Sequence, residues 1–381
     1  MNKTPLPVTV ISGFVGAGKT ALLDTLVDNP ERVRIGTVSE QSIEAIEQAI
    51  VVLAEQACFD AIVVGSPATL NPIDIAEELA FGDDDAATLS GQAHLDTFVT
   101  VIDAQRFLHD YASSDAVDPG DGDGKTIVET LIEQIEFCDV IVINKTDLAS
   151  TDDVEKIARI LRALNPRAHR VRATNGQIFP NEVLNTARFD FDTTSSAPGW
   201  LAILNGEHVS EEAFVYRARR PFHPERLWNL LHEEWTDVLR AKGFFWLATR
   251  SEVGGALSQA GSTCRHGPAG VWWAAQDRSE WPTDDPELEA EIVAEWYGDA
   301  DDNSIGDRRQ ELVLIGLDLD ETEWQVRFDA CLLNDEEWSA GAQSWQHFTD
   351  PFPAWEIEDH DHDEDHEHEH GPDCGCDDHQ H

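Results

Sequence analysis

Short apolar runs alternate with amphipathic stretches along the first half of the chain. The apolar runs, which are typical of strands buried in a parallel sheet, lie at residues 8–12, 33–38, 61–64, 97–102 and 140–143. Helical spacing follows each run, at residues 19–28, 41–57, 72–80, 125–137 and 152–164. Because strands and helices alternate, the pattern predicts a doubly wound, mostly parallel α/β domain over residues 1–175.

The pattern changes in the second half. Residues 176–212 carry few periodic signals and are predicted to be a linker. Over residues 213–350, the strand-like segments FVYRARRPF, FFWLATR, GVWWAAQ and ELVLIGLDL accompany helical spacing at 223–240 and 320–332, which predicts a smaller α+β domain. Residues 356–381 are of low complexity and cannot bury a core, so we expect an acidic, His-rich tail that is disordered without a ligand.

Acidic side chains dominate the charge. The 381 residues include 74 Asp and Glu against 26 Lys and Arg, a formal net charge of −48. Such a field repels polyanions, which argues against a nucleic-acid ligand. No apolar run approaches 18 residues and no signal-peptide pattern is present, so we expect a cytoplasmic protein with no membrane partner. The charge is typical of a proteome adapted to high intracellular salt; a specific cationic partner is the alternative.

A glycine-rich segment between the first strand and the first helix carries the clearest chemistry. GFVGAGKT (13–20) follows PVTVIS and precedes ALLDTLVDN, the context that a phosphate-binding loop requires. Its main-chain N–H groups and the helix dipole would bind phosphate, Lys19 would reach the β- and γ-phosphates, and Thr20 would bind Mg²⁺. Lys19 and Thr20 are the catalytic candidates. The phosphate-binding candidates are Gly13, Gly16, Ala17, Gly18, Lys19, Thr20 and Ala21.

A second motif, NKTD, ends the strand DVIVI. The Asp147 carboxylate can accept from the ring N–H and the exocyclic amine of guanine, which adenine does not offer in that geometry. Asn144 would contact the base edge and the Lys145 stem would cover its face. Alone this pattern is commonly a turn at a strand end. Together with the upstream phosphate loop it favours GTP as the nucleotide.

These motifs resemble the CobW-type family of P-loop GTPases, many of which are metallochaperones. The resemblance covers nearly the whole chain, and its second half is similar to the branch linked to zinc limitation. The matching segments are GFVGAGKT, LDTFVTVIDAQRFLHDY, EQIEFCDVIVINKTDL, RRPFHPERLWNLL, RAKGFFWLATR, CRHGPAGVWWAA, GDRRQELVLIG and DACLLNDEEW. The resemblance implies a P-loop domain, a CobW C-terminal-type domain and GTP-linked handling of a divalent metal.

The chain departs from the family pattern at two places. The family's CxCC metal motif is missing: the switch-like SEQSIEA (39–45) runs directly into a helix, and the nearby Cys58 is expected to be buried at the helix end. Gly65 stands where the family has an acidic residue at the end of a strand. Glu40 and Glu44 are the alternative sources of this charge. Without one of them, a charge near the transferring phosphoryl group is lost, so we expect GTP binding with weak or absent hydrolysis.

The tail carries the richest set of metal ligands. Imidazole and thiolate side chains suit Zn²⁺, with Ni²⁺ and Cu²⁺ also possible, so we predict labile metal capture there. The candidate ligands are His360, His362, His366, His368, His370, Cys374, Cys376, His379 and His381. An acidic solubility tail and a remnant of a tag are the alternatives.

A smaller Cys/His pair lies in the C-terminal domain. Cys264 and His266 would share one face of a strand and could supply two metal ligands. The alternative is a tight turn packed under Trp272 and Trp273 with no metal role. His223 precedes Pro224 and is predicted to lie at a helix N-terminus.

These features together predict a GTP·Mg²⁺-binding protein of metal homeostasis. The tail would collect Zn²⁺ for delivery to a client metalloprotein, and the C-terminal domain would contact that client or a second copy of the chain. One alternative is a catalytically inactive nucleotide-binding adaptor with a passive metal-buffering tail. Another, which rests on the family resemblance, is a cobalt- or cobalamin-related insertion chaperone.

Overall fold

The computed structural model describes residues 5–68, 70–81, 92–117, 124–190, 212–282, 285–298 and 304–355. The first half forms one sheet with flanking helices, as the alternating pattern predicts. Its strands are β1 (Leu6–Ser12), β2 (Ile35–Val38), β3 (Ala61–Gly65), β4 (Ala93–Asp103), β5 (Val140–Asn144) and β6 (His169–Arg172). Its helices are α1 (Lys19–Val27), α2 (Ile43–Gln56), α3 (Pro72–Phe81), α4 (Phe107–Tyr111), α5 (Ile127–Phe137) and α6 (Thr151–Leu164).

All six strands are parallel, in the order β2-β3-β1-β4-β5-β6. β1 therefore lies between β3 and β4, where the strand order reverses. In open α/β sheets the ligand crevice forms at this point, outside the carboxyl ends of the strands. β1 is buried from Val8 to Ser12, as a central strand with helices on both faces should be. The predicted doubly wound fold is confirmed.

The second half forms an antiparallel sheet. Its strands are β7 (Ala213–Ala218), β8 (Val238–Trp246), β9 (Val253–Ala260), β10 (Thr263–Val271) and β11 (Gln310–Gly316), in the order β10-β9-β8-β11-β7. Its helices are α7 (Pro224–Leu231), α8 (Pro286–Ala294), α9 (Glu321–Asp329), α10 (Asp335–Ser339) and α11 (Ala342–Trp345). The predicted α+β character is confirmed.

Two elements of this domain differ from the sequence prediction. The helix predicted over 223–240 ends at Leu231, because the chain from Val238 onward pairs with β9 and β11 instead. GVWWAAQ (270–276) is not a strand: it contains the end of β10 and a single 3₁₀ turn at Trp273–Ala275. His223 lies at the N-cap of α7 as predicted, although its side chain makes no capping hydrogen bond.

The two sheets are joined by polar contacts. A buried ion pair links Arg240 of β8 to Glu136 of α5, with an Nε–Oε1 distance of 3.0 Å and side chains 3% and 6% exposed. The Tyr111 hydroxyl donates to the carbonyl oxygen of Leu239 at 2.5 Å. Arg265 of β10 pairs with Glu129 of α5. The C-terminal domain therefore packs on α4 and α5, which follow β4 in the sequence.

No helix in the described ranges is both long enough and apolar enough to cross a bilayer. The predicted His-rich tail, residues 356–381, lies outside the described residues, and so does most of the predicted linker.

Candidate nucleotide site

The phosphate loop lies between β1 and α1, at the central strand. Gly13, Gly16 and Gly18 have φ values of 139°, 83° and 102°, in the region that favours glycine. At Gly13 a Cβ atom would come within 2.4 Å of the Val101 carbonyl oxygen, so β4 also excludes a side chain there. The glycines thus allow the tight curvature that the sequence motif predicts.

The N-terminus of α1 is open for an anion. Gly18 is the N-cap and makes no side-chain capping bond, so the first-turn N–H groups have no side-chain acceptor there. Lys19 is half-buried and its ammonium group donates to the Gly13 carbonyl oxygen; burial lowers the pKa of Lys19. Ala17 is buried, whereas Thr20 is exposed and Ala21 is partly exposed at the start of the helix.

Asn144 joins the two predicted motifs. Its Nδ2 donates to the carbonyl oxygen of Ala17 in the phosphate loop at 3.0 Å. Its Oδ1 accepts from the main-chain N–H of Gly176 at 2.9 Å. Asn144 is 1% exposed, so both bonds are shielded from water. The phosphate loop and the NKTD segment therefore lie side by side, the juxtaposition that one bound nucleotide requires.

Lys145 also contacts the phosphate loop. Its ammonium group donates to the Gly16 carbonyl oxygen at 2.6 Å and to Oδ2 of Asp103 at 2.6 Å. Asp103 ends β4 and is 9% exposed. Asp103 lies in no recognisable sequence motif, but its position at the carboxyl end of a central strand indicates a residue close to the ligand crevice.

The loop after β6 is a further part of the site that the sequence analysis missed. Gly176 approaches α1 so closely that a Cβ would lie 2.6 Å from the Leu22 nitrogen. The Thr146 hydroxyl donates to the carbonyl oxygen of Ala173 at 3.0 Å. Asn175, which precedes Gly176, is exposed with a φ of 50°. In the sequence, the turn-forming residues of ATNGQ (173–177) indicate a loop at this position.

Asp147 is exposed at the end of this segment, three residues after Asn144. Its carboxylate is therefore accessible from solvent. The structure thus places Lys19, Asn144 and Lys145 around the phosphate loop and leaves Asp147 open to solvent.

The region around Gly65 has no carboxylate in the strand itself. A Cβ on Gly65 would lie 3.0 Å from Cδ1 of Leu23 and 3.5 Å from Oγ of Ser39. Of the two suggested substitutes, Glu44 lies in the first turn of α2, where a hydrogen bond from its own main-chain N–H, followed by one with the Ser42 side chain, lowers its pKa. Glu40 follows β2 and is exposed.

Side chains that commonly bind metals are not clustered in the described part of the chain. Within it, no group of three or more His, Cys, Asp or Glu side chains is placed to hold a metal ion. The expectation that Cys58 is buried is wrong: α2 ends at Gln56, Ala57 takes a left-handed conformation, and Cys58 is exposed beyond it. Cys264 and His266 lie on β10, so the interpretation of a tight turn is also wrong.

The fold and the loop geometry define a P-loop nucleotide-binding domain joined to an antiparallel C-terminal domain. The family model "CobW/HypB/UreG, nucleotide-binding domain" matches residues 7–53 and 38–172. The model "Cobalamin synthesis protein cobW C-terminal domain" matches residues 212–332. The chain belongs to the CobW family.

Two curated relatives show the same similarity. The zinc-regulated GTPase metalloprotein activator 1 of Dictyostelium discoideum is 32% identical over 404 aligned residues, covering 91% of this chain and 84% of the relative. A zinc chaperone of Mycobacterium tuberculosis is 30% identical over 264 residues, covering 68% of this chain and 61% of the chaperone. Among solved structures, the Zn(II)-bound YjiA GTPase of E. coli aligns over 87% of this chain and 100% of its own, with 19% identity and a TM-score of 0.39.

Proposed function

We propose that this protein binds GTP and Mg²⁺ and uses the nucleotide to control the delivery of zinc to a client metalloprotein. The observation that carries the nucleotide half is the double hydrogen bond of Asn144, which fixes the phosphate loop next to the NKTD segment. The zinc half is supported by the printed names of the relatives, a zinc-regulated GTPase metalloprotein activator and a zinc chaperone.

The residues present fit a nucleoside triphosphate. The uncapped first turn of α1 and the curled glycines offer main-chain N–H groups to phosphate oxygens, and Lys19 adds a positive charge. Thr20 supplies a hydroxyl for Mg²⁺, which neutralises phosphate charge when bound. Lys145, held by Asp103 and Gly16, covers the base, and Asp147 accepts the two guanine donors.

Hydrolysis is weak in this proposal. Gly65 supplies no carboxylate, and the Glu44 carboxylate is engaged at the N-terminus of α2. Losing one preorganised group at a reacting phosphoryl group typically costs about 10²–10³ in rate. The nucleotide would then act mainly by being bound or released.

Calorimetric titration with GTP, GDP and ATP, with and without Zn²⁺, tests this function. Molar KCl is needed because a chain of charge −48 repels itself at low salt. We expect GTP and GDP to bind, ATP to bind at least tenfold more weakly, and zinc affinity to differ between the GTP and GDP forms. Equal zinc affinity in both forms would support the adaptor with a passive metal buffer, and absent GTP binding would overturn the proposal.

A further inference from the structure

A cavity of about 690 Å³ lies where the two domains meet, away from the phosphate loop. Tyr111 and Ala112 of the first domain form one side, and the chain between α7 and β8, together with the hairpin of β9 and β10, forms the other. Apolar side chains contribute to the lining, among them Leu231, Trp235 and Leu239. A partly apolar cavity of this size at a domain junction is typical of a ligand site.

Three side-chain donors that line this cavity are already bonded to main-chain carbonyl oxygens. Nε1 of Trp235 donates to the carbonyl oxygen of Leu230 at 2.9 Å, and the Tyr111 hydroxyl donates to β8. Nδ1 of His232 donates to the carbonyl oxygen of Trp228 at 2.8 Å. Because a carbonyl oxygen can only accept, the neutral His232 ring carries its proton on Nδ1, and Nε2 is left as an acceptor.

Gln259 adds a buried acceptor without a partner. This residue lies on β9, lines the cavity and is 3% exposed. Its Nε2 donates to the carbonyl oxygen of Gly261 at 2.5 Å, whereas its Oε1 has no hydrogen-bond partner in the described part of the chain. Buried polar atoms are nearly always hydrogen-bonded, because leaving one unpaired is destabilising. A ligand that donates to this oxygen would remove that cost.

Charge determines which kind of donor the cavity favours. Among Asp, Glu, Lys and Arg, the described residues that line it are Glu233 and Glu234, both exposed between α7 and β8. Two carboxylates favour a cation over an anion. Acidity is general in a chain with 74 Asp and Glu residues, so the carboxylates select the sign of the ligand, whereas the unpaired oxygen of Gln259 selects the place.

A second cavity, of about 710 Å³, continues from the first and lengthens it into a groove. The two cavities share Tyr111, Ala112, Thr236 and Leu239, and we call them together the interdomain groove. The charged residues that line the second cavity are Asp152, Glu155, Lys156, Arg159, Asp237 and Asp318, so acids again outnumber bases. A single small cation would leave most of this groove empty, whereas an extended peptide segment would fill it.

We propose that the interdomain groove binds an extended segment of a partner protein, with a Lys or Arg side chain of that segment in the first cavity. The N–H groups of this side chain donate to Oε1 of Gln259 and Nε2 of His232, and Glu234 supplies the opposite charge. Its apolar stem packs against Leu231 and Leu239. The inference goes beyond the proposed function, because neither the nucleotide nor zinc occupies the groove.

Ligand-observed NMR on the full-length chain in molar KCl tests this site. High salt screens the non-specific attraction of cations to a chain of charge −48, so binding that persists reports contacts inside the groove. The probes are the peptide acetyl-Leu-Arg-Leu-amide, its citrulline analogue, which has a similar shape without the charge, and free butylguanidinium. We expect the arginine peptide to bind at least about tenfold more tightly than either of the other two.

Three substitutions separate the site from the fold. Gln259→Leu removes the unpaired acceptor at nearly constant size and should weaken binding of the arginine peptide about tenfold. Glu234→Gln should weaken it about threefold, because an exposed charge is partly screened. Glu321→Gln removes an exposed carboxylate of α9 outside the groove and should change nothing. Each variant should keep the Kd for GTP of the unmodified chain, which shows that it is folded.

Four results would overturn the proposal. Equal binding of the arginine and citrulline peptides would show that charge is not recognised, and unchanged binding in Gln259→Leu would place the peptide elsewhere. Butylguanidinium bound as tightly as the arginine peptide would overturn the assignment to a protein partner in favour of a small free cation. An unmodified chain that binds GTP but not the arginine peptide would contradict this inference and leave the proposed function intact.

Discussion

The Asn144 side chain donates a hydrogen bond to the carbonyl oxygen of Ala17 at 3.0 Å, tying the end of β5 to the phosphate loop. With the bond from Gly176 to the same carboxamide, three loops at the carboxyl edge of the sheet become one unit. The phosphate loop and the NKTD segment are therefore held together, and a change at Asn144 should disturb both.

Asn144→Ala should reduce stability and GTP affinity. It leaves the Gly176 N–H and the Ala17 carbonyl without their partner, a loss of about 1–3 kcal/mol for buried polar groups. We expect unfolding free energy to fall by about that amount and the Kd for GTP to rise by up to about 100-fold. Urea unfolding and calorimetry measure the two effects. Asn229→Ala, on an exposed position of α7, is the control, and an Asn144→Ala protein with unchanged Kd contradicts the account.

Gly65→Asp should increase GTP hydrolysis. Gly65 has ordinary backbone angles, and an added Cβ is tight only against the flexible end of Leu23, at 3.0 Å. The new carboxylate would lie beside Ser39, at the strand end where the family resemblance implies an acid. We expect phosphate release to rise by about tenfold or more, and Lys19→Ala to abolish it. Gly267→Asp, where no atom lies within 4 Å of an added Cβ, controls for charge. High turnover in the unmodified chain would show that Gly65 does not limit hydrolysis.

The buried ion pair of Arg240 and Glu136 should contribute far more to the free energy of unfolding than the exposed ion pair of Arg159 and Asp318. Both pairs cross between the domains, but the first is 3% and 6% exposed and the second 50% and 84%. Arg240→Ala should cost about 3–5 kcal/mol because it leaves a buried carboxylate unpaired. Arg159→Ala should cost less than about 1 kcal/mol. Urea unfolding at constant KCl measures the stability loss of each variant. Equal losses would contradict the expectation that burial makes the pair of Arg240 and Glu136 the stronger contributor.

Asp139 should make stability fall as pH rises from about 4 to 6. Burial raises its pKa to about 6, although its carboxylate accepts from the Phe98 N–H at 2.8 Å. The folded state therefore holds a proton that the unfolded state has lost, so this contribution is complete below pH 4 and absent above pH 6. Relative to the unmodified chain, the free energy of unfolding of Asp139→Asn should increase across that pH window. The difference between the two proteins should then stay constant above pH 6. Asp60→Asn should give a flat difference there, because Arg34 lowers the pKa of Asp60 to about 2.

The sequence predicted the first domain well because its strands are continuous apolar runs. β6 was missed because its four residues, HRVR, contain one aliphatic side chain. β9 was missed because VGGALSQA is rich in small residues, and its position is set by pairing with β8 and β10. The helix from Pro224 was predicted too long because the apolar spacing continues through Trp235 to Val238, where strand pairing prevails.

The candidate site was predictable where a local motif carries the chemistry, as in GFVGAGKT and NKTD. Asp103 and the loop around Gly176 lack such a motif, and only the fold brings them to Lys145 and Asn144. The two domains also enclose a cavity, lined by Tyr111 on one side and by Leu239 and Cys264 on the other, and no local sequence pattern encodes how the domains pack. The metal role predicted for residues 356–381 stays a prediction.

A substitution at Asp147 that changes the preferred nucleotide tests the central claim most directly. Asp147→Asn replaces an acceptor of the guanine N–H groups with an amide that can donate to the C2 carbonyl of xanthine. Calorimetry in molar KCl should show GTP binding at least tenfold weaker and XTP binding stronger than in the unmodified chain, with Asp152→Asn on α6 without effect. Unchanged GTP affinity in Asp147→Asn would contradict the claim that one guanine nucleotide spans the phosphate loop and the NKTD segment.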